Sequence, residues 1–473
     1  MLRRQRLRGR VEKELPLRRV TLLSTRLGQR GRNLGWNLGG QVLPMLTGIV
    51  LVPLLLHALG TARFGFLSLG WVLIGYFSLF DLGLARALTQ RVAELGAAGS
   101  AGQARLRTAV GTGMLLIAAL ALASVPLLLF GKDALLGSLV HADAALAGEA
   151  SRAFGWLVAG VPVVIVAAGV RGVLEGQHRF AAVNLVRTPA GMAMFIAPWL
   201  ATLVAPTLAA VTFALFAVRV LQLAGFVWLA RGLLGDAMRR SAVDRAEVAM
   251  LFGFGLWITV SNIISPVLVY VDRFVLSHYG TLSDVAYYST PFDLIARLLF
   301  VGVAVQGVMF PAVSAALASA PASVGRLLRQ NYVLLLVLFV PVLLLTFVFA
   351  HWGLTLWLGA AFAARSADVL RILTLGIFLN VLTGVPFGLL QSMRRADLTA
   401  KTHIVELPLY IGLLIVLVQS DGVTGAAWAW VARVGFDFVV LSWLARRELR
   451  HPGLASAAAA GYPANAAEPD EAI

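Results

Sequence analysis

The chain has 473 residues, 59% of them hydrophobic and 13% charged, with 39 Lys and Arg against 23 Asp and Glu and a net charge of +16. That much apolar side chain exceeds what one water-soluble core can bury, so the composition excludes an ordinary soluble domain and places the chain in a bilayer. The basic residues fall in short clusters between apolar runs, which argues against a nucleic-acid partner, and the lack of cysteine excludes disulfides, thiolate metal sites and thiol catalysis.

Residues 1–32 form a basic tail that opens with Arg3, Arg4, Arg6, Arg8 and Arg10 against only Glu12 and Glu14. Positive-inside bias holds such a tail in the cytoplasm, where each basic residue near anionic lipid contributes about 1 kcal/mol. Twelve apolar segments follow, near 34–56, 65–88, 108–130, 153–174, 183–205, 207–230, 250–274, 284–310, 330–350, 367–390, 402–419 and 424–445. Each is close to the roughly 20 residues that cross about 30 Å of hydrocarbon as helix. The first span is too long for the apolar region of a cleaved signal peptide, and within it Gly35 and Gly39 have the GxxxG spacing of a close helix contact. Arginines in alternate loops, among them Arg105, Arg179, Arg239, Arg326 and Arg394, fall on the cytoplasmic side, and twelve crossings return the C-terminus there. The expected fold is therefore an all-α integral membrane protein. Residues 33–230 and 250–446 make two six-helix bundles, and 231–249 join them as an amphipathic surface helix or an extended linker. Residues 447–473, rich in small residues, read as a disordered cytoplasmic tail.

The two bundles repeat one another. HALGTARFGF at His57 resembles SHYGTLSDVA at Ser277, RGVLEGQHRF at Arg171 resembles FGLLQSMRRA at Phe387, and AVRVLQLAGFVWLAR at Ala217 resembles VARVGFDFVVLSWLAR at Val431. The three matches keep their order, and they pair Gly60 with Gly280, Thr61 with Thr281, Gly172 with Gly388 and Arg219 with Arg433. An offset of six spans, an even number, relates the halves by a pseudo-two-fold along the membrane normal and puts a cavity at their interface.

Polar residues inside the spans are the candidate site. An arginine near the bilayer centre costs at least about 2.5 kcal/mol on insertion scales, so Arg219 and Arg433 are expected to face water between the halves. The alternatives are an i,i+4 bridge from Arg433 to Asp437 and, for Arg219, reach to the far headgroups. Thr259, Ser261 and Asn262 share one stretch of the seventh span, with Asp272 and Arg273 near its exit. Tyr287 and Tyr288 precede Pro291 in the eighth span, and Asp293 and Arg297 lie one turn apart as a structural ion pair or a proton site. For Asp81, helix capping, pairing with Arg86 and substrate gating are open. The longest outward connections offer only His141 with Asp143, and His351, which is too little for a catalytic constellation.

Taken in order, LGTARFGFLSLGWVLIGYFSLFDLGLARALTQ from Leu59, GVLEGQHRF, WITVSNIISPVLVYVDRFVL from Trp257 and AYYSTPFDLIARL from Ala286 resemble the oligosaccharide flippases of the multidrug/oligosaccharidyl-lipid/polysaccharide superfamily, in its polysaccharide-transporter branch. The resemblance implies a bacterial inner-membrane protein that moves an undecaprenyl-diphosphate-linked glycan by alternating access. Its partners would be that glycan lipid, the surrounding membrane lipids and the polysaccharide polymerase and other assembly proteins. No cofactor is implied, and proton coupling, sodium coupling or the membrane potential could supply the energy. On this reading Arg219 and Arg433 attract the diphosphate, Thr259, Ser261, Asn262, Tyr287 and Tyr288 contact sugars, and Asp293, Arg297, Asp272, Arg273, Asp437 and Asp81 serve coupling or gating. A multidrug antiporter of the same superfamily would need a mainly acidic cavity, and a polysaccharide polymerase or ligase would need a larger outward loop.

Overall fold

The computed structural model describes residues 42–73, 83–97, 99–139, 144–240, 243–393 and 395–450. The predicted N-terminal tail, residues 451–473 of the predicted C-terminal tail, Gly35, Gly39, Asp81, His141 and Asp143 lie outside the described residues, as do the side chains of 252–267, which include Thr259, Ser261 and Asn262. Residues 447–449, expected in the C-terminal tail, instead end the last helix. The described residues are helical nearly throughout. In chain order they form α1 (Val42–Leu73), α2 (Leu84–Ala97), α3 (Gly99–Phe130), α4 (Lys132–Leu139), α5 (Ala144–Gly176), α6 (Phe180–Val204) and α7 (Leu208–Arg240). The series continues with α8 (Arg245–Tyr279), α9 (Leu282–Ile295), a 3₁₀ turn (Ala296–Leu298), α10 (Leu299–Ser319), α11 (Val324–Leu358), α12 (Ala360–Ser392) and α13 (Ala396–Leu449).

Nine stretches among the described residues are long and apolar enough to cross a membrane. Two of them fold back on themselves. As one straight rod, the 54 residues of α13 would run about 80 Å, but Gly422 sits at φ +56 and the arms return alongside each other, with Arg433 on Glu406 and Arg395 on Glu448. In α1, Gly60 has φ +76, a region that L side chains enter only at a cost. Phe195 marks the reversal there: a Cβ on Gly48 would lie 3.0 Å from its ring, and Trp71 stands 5.3 Å from it centroid to centroid. In an unbroken helix residues 48 and 71 would be some 35 Å apart. The two arms of α1, α3, α5, α6, α7, α8, α9 with α10, α11, α12 and the two arms of α13 make the twelve expected passes.

Many helices outrun the hydropathy spans. α11 covers 324–358 where the apolar run covers 330–350, because a helix leaving the hydrocarbon carries its hydrogen bonds with it and polar residues are tolerated there. The stretch 231–249 is helical over 231–240 and 245–249. α7 continues through it to Arg240, held by buried Ala237 and partly buried Leu233 and Leu234, and α8 starts at Arg245 under an Asp244 cap that accepts from Ala246 N at 2.8 Å.

α5 is the hub of the first half and packs on α2, α3 and α7. It approaches α2 at Gly172 and Gly176, a four-residue spacing at which any Cβ would meet the α2 backbone at 2.7 Å (Ala85 O) and 2.6 Å (Thr89 O). α12 is the hub of the second half, against α9, α10, α11 and α13, with the fully buried Trp430 ring filling the notch over Gly376. The outer faces carry bare apolar side chains, such as Phe130 at 94% and Val204 at 90% exposure, as lipid-facing surfaces do.

The halves touch at both ends of α8. Near Gly60, Thr61 Oγ1 and Ser283 Oγ share a hydrogen bond of 2.9 Å, and Gly65 is so close to the start of α9 that a Cβ would fall 1.7 Å from Leu282 O. The turns meeting here, at Gly60 and Gly280, are the first pair in the sequence repeat. Toward the opposite end of α8, Arg91 of α2 holds buried Glu247 with two bonds, 3.0 Å from Nε and 2.6 Å from Nη2.

Candidate substrate cavity

Between the halves lies a cavity of about 280 Å³. Met194, Phe195 and Arg219 reach it from α6 and α7, Thr290, Asp293 and Arg297 from α9 and the following 3₁₀ turn, and Trp357 from α11. The two arms of α1 close it, with Ile49 on one and Phe64, Ser68 and Trp71 on the other. Trp357 ties the halves at its rim by donating its indole N–H to Ile49 O at 2.6 Å.

Arg219 is half-buried and donates from Nη1 to Gln222 Oε1 at 2.9 Å, while its Nε has no partner and it makes no ion pair among the described residues. A charge of like sign, Arg171 on α5, stands near it. Arg297 also enters the cavity without an ion pair among the described residues. The bridge expected between Asp293 and Arg297 is absent for a geometric reason. The helix tightens to 3₁₀ over Ala296–Leu298, which moves Arg297 off the i,i+4 row. Asp293 Oδ1 instead accepts from Arg273 Nη2 at 2.7 Å.

Arg273 and Asp272, expected near a helix exit, are fully buried. Arg273 also donates to Ser289 Oγ (3.1 Å) and Val269 O (3.3 Å) and lies over the rings of Phe292 and Tyr270 at 4.7 and 5.0 Å. Tyr288, expected on a sugar, is buried in the same network and donates its hydroxyl to Asp272 Oδ2 at 2.5 Å. Tyr287 also points away from the cavity and packs on Phe362 at 5.0 Å. Its carbonyl, which loses its helical donor to Pro291 four residues on, accepts from buried Ser366 of α12 at 3.0 Å.

Arg433 does not join Arg219. It is buried between the arms of α13, donates to Glu406 Oε1 at 3.0 Å and lies near the rings of Tyr410 and Trp430. Asp437, one turn along, faces His403 Nε2 at 3.8 Å instead of Arg433. The symmetric arginine pair is thus replaced by Arg219 and Arg297. Arg433 has its counter-charge across the Gly422 hairpin, which a linear sequence does not display; a lone carboxylate inside a span, Glu406, is the signal that one exists. Trp71, Trp357, Phe195 and Thr290 do not stand out in the sequence, because aromatic and hydroxyl residues in an apolar span most often only pack.

Asp272 and Asp293 share the one guanidinium of Arg273, and Arg219 and Arg297 make no ion pair among the described residues, so three arginines face two carboxylates and the cavity is net cationic. A guanidinium presents planar paired donors that suit phosphate oxygens, and a low-dielectric wall strengthens that attraction.

Residues 31–317 match the family model described as "Polysaccharide biosynthesis protein". The chain belongs to the polysaccharide biosynthesis protein family. It is similar to a Shigella flexneri protein described as "Putative O-antigen transporter", with 29% identity over 424 residues, 88% of this chain and 97% of that one. Its fold is that of the multidrug/oligosaccharidyl-lipid/polysaccharide superfamily. An inward-facing multidrug resistance MATE transporter superposes with a TM-score of 0.72 at 13% identity, covering 90% of this chain and 99% of that one. The lipid II flippase MurJ in an inward closed conformation gives 0.67 at 12% identity, covering 90% of each chain.

Proposed function

We propose that this membrane protein is a transporter, and not an enzyme, that moves a polyprenyl-diphosphate-linked oligosaccharide across the bacterial inner membrane for surface polysaccharide assembly. The observation that carries the reading is the pair of guanidiniums, Arg219 and Arg297, that make no ion pair among the described residues and give a cavity between two helix groups a net positive charge. The family description and the relative's O-antigen name support the glycan, and the flippase-like fold supports the transport. Both termini are cytoplasmic. The diphosphate binds the arginines, the isoprenoid tail stays in lipid between the halves, and the halves rock so that the Gly60 seam parts while the other side closes. An inside-negative potential favours outward movement by about 2.3 kcal/mol per negative charge per 100 mV. A cationic-drug antiporter is disfavoured by the sign of the cavity's charge.

The test is deletion of the gene in its native bacterium with analysis of lipid-linked sugars. Complete repeat units trapped on the cytoplasmic leaflet are expected. Exported single units would point to a polymerase or ligase and overturn the proposal.

A further inference from the structure

A cavity built to hold an anion has no use for a carboxylate, yet Asp293 lines it with its side chain 52% exposed. Arg273 does not require Asp293 as its counter-charge, because adjacent, fully buried Asp272 already supplies one. Only Oδ1 of Asp293 is engaged; Oδ2 accepts no hydrogen bond among the described residues.

One turn back, Thr290 shows a second anomaly. Several helical threonines in this chain return their hydroxyl to the carbonyl four residues earlier, as Thr212 does to Leu208 O, Thr374 to Leu370 O, Thr383 to Leu379 O and Thr402 to Leu398 O, at 2.7 to 2.9 Å, whereas Thr188, outside the cavity, has like Thr290 a hydroxyl with no partner among the described residues. Thr290 is only 6% exposed and lines the cavity, but its Oγ1 has no partner among the described residues. A buried hydroxyl left unpaired is costly unless a ligand completes it. Across the cavity Trp71, braced by Phe64 and Phe195, presents an indole whose Nε1 is likewise unpartnered among the described residues.

We infer that Asp293, Thr290 and Trp71 form a sugar subsite beside the diphosphate position, with the Asp293 carboxylate and the Thr290 hydroxyl accepting hydrogen bonds from sugar hydroxyls and Trp71 meeting the ring's apolar face. This rests on the transport reading above. The chemistry separates a sugar from the rest of the substrate: an ionised diphosphate and an isoprenoid chain offer no hydrogen-bond donors, whereas a sugar ring carries a rim of them above a C–H face. Amines also donate, but Arg219 and Arg297 repel cations. Asp293 and Arg297 lie four residues, at least ~6 Å of rise, apart along the chain axis, near enough for one to meet a sugar while the other meets the phosphate bonded to it. Held by Arg273, which it shares with Asp272, the carboxylate keeps a fixed orientation and its charge is offset in part, and Arg219 and Arg297 leave the site net cationic, so it does not expel the neighbouring phosphate.

The experiment uses the full chain in lipid nanodiscs and two probes, a short polyprenyl diphosphate and the same lipid bearing one hexose. Wild type is expected to bind the hexosyl lipid about tenfold more tightly than the bare lipid. Asp293→Asn and Thr290→Val should each erase most of that preference and leave bare-lipid affinity within about twofold, whereas Arg219→Ala should weaken both probes alike. Equal weakening of both probes by Asp293→Asn would make Asp293 a structural partner of Arg273 and overturn the subsite; tightening of both would make it only a repulsive charge and overturn the subsite equally. If Asp293→Asn does not fold, the isosteric Thr290→Val decides, and an unchanged hexosyl preference there overturns the proposal. Failure of wild type to bind either probe would instead remove the transport reading beneath it.

Discussion

Substituting alanine for Arg219 and for Arg433 should give opposite signatures. Arg219 breaks no ion pair when removed, so Arg219→Ala is expected to keep its level in membranes and to lose at least tenfold in export of lipid-linked glycan. Arg433→Ala strands the Glu406 carboxylate, 2% exposed at its side chain, in the protein interior. That should cost about 3–5 kcal/mol and appear as lost abundance and a lower melting temperature. Removing both partners, in Arg433→Ala with Glu406→Ala, should recover much of the loss. Wild-type melting in Arg433→Ala would show that the pair carries no stability. The sequence displays both arginines as cations in apolar surroundings, and for Arg219 that is sufficient to find the cavity. It cannot separate the two, since what distinguishes them is a neighbour 27 positions away in the chain.

Helix α9 shows what a single element conceals in one dimension. Pro291 is visible in the sequence as a break in the hydrogen-bond ladder; the Ser366 hydroxyl that repairs the Tyr287 carbonyl belongs to α12 and cannot be read from α9 alone. Ser366→Ala leaves that carbonyl buried and unpaired, at an expected cost of about 1–3 kcal/mol. Pro291→Ala restores the backbone donor, so the double substitution should melt close to Pro291→Ala alone. Two additive losses would show that the bond does not depend on the proline. Helix boundaries are concealed in a similar way: hydropathy locates the apolar middle of α7 but not its continuation to Arg240, where partly buried leucines, and no unbroken apolar run, sustain the helix.

For the molecule as a whole, twelve passes are legible because lipid imposes a coarse, nearly binary rule on every span. How the halves meet is not, because contacts between distant turns leave no periodicity. The Thr61 and Ser283 hydroxyls, 2.9 Å apart across the seam, allow a direct test in a chain without native cysteine. Thr61→Cys with Ser283→Cys should cross-link on mild oxidation, stop export and resume it on reduction, while either cysteine alone leaves export unchanged. Continued export by the fully oxidised form would show that this seam stays closed throughout the cycle. The same seam also bears on ancestry. Gly60 and Gly280 are counterparts in the duplication, and they lie where a six-helix protomer would have met its own copy across a two-fold axis, self-complementary by necessity. A single chain is free of that obligation: Thr61 faces Ser283 and not its repeat counterpart Thr281, so either side of the contact can change without altering the other.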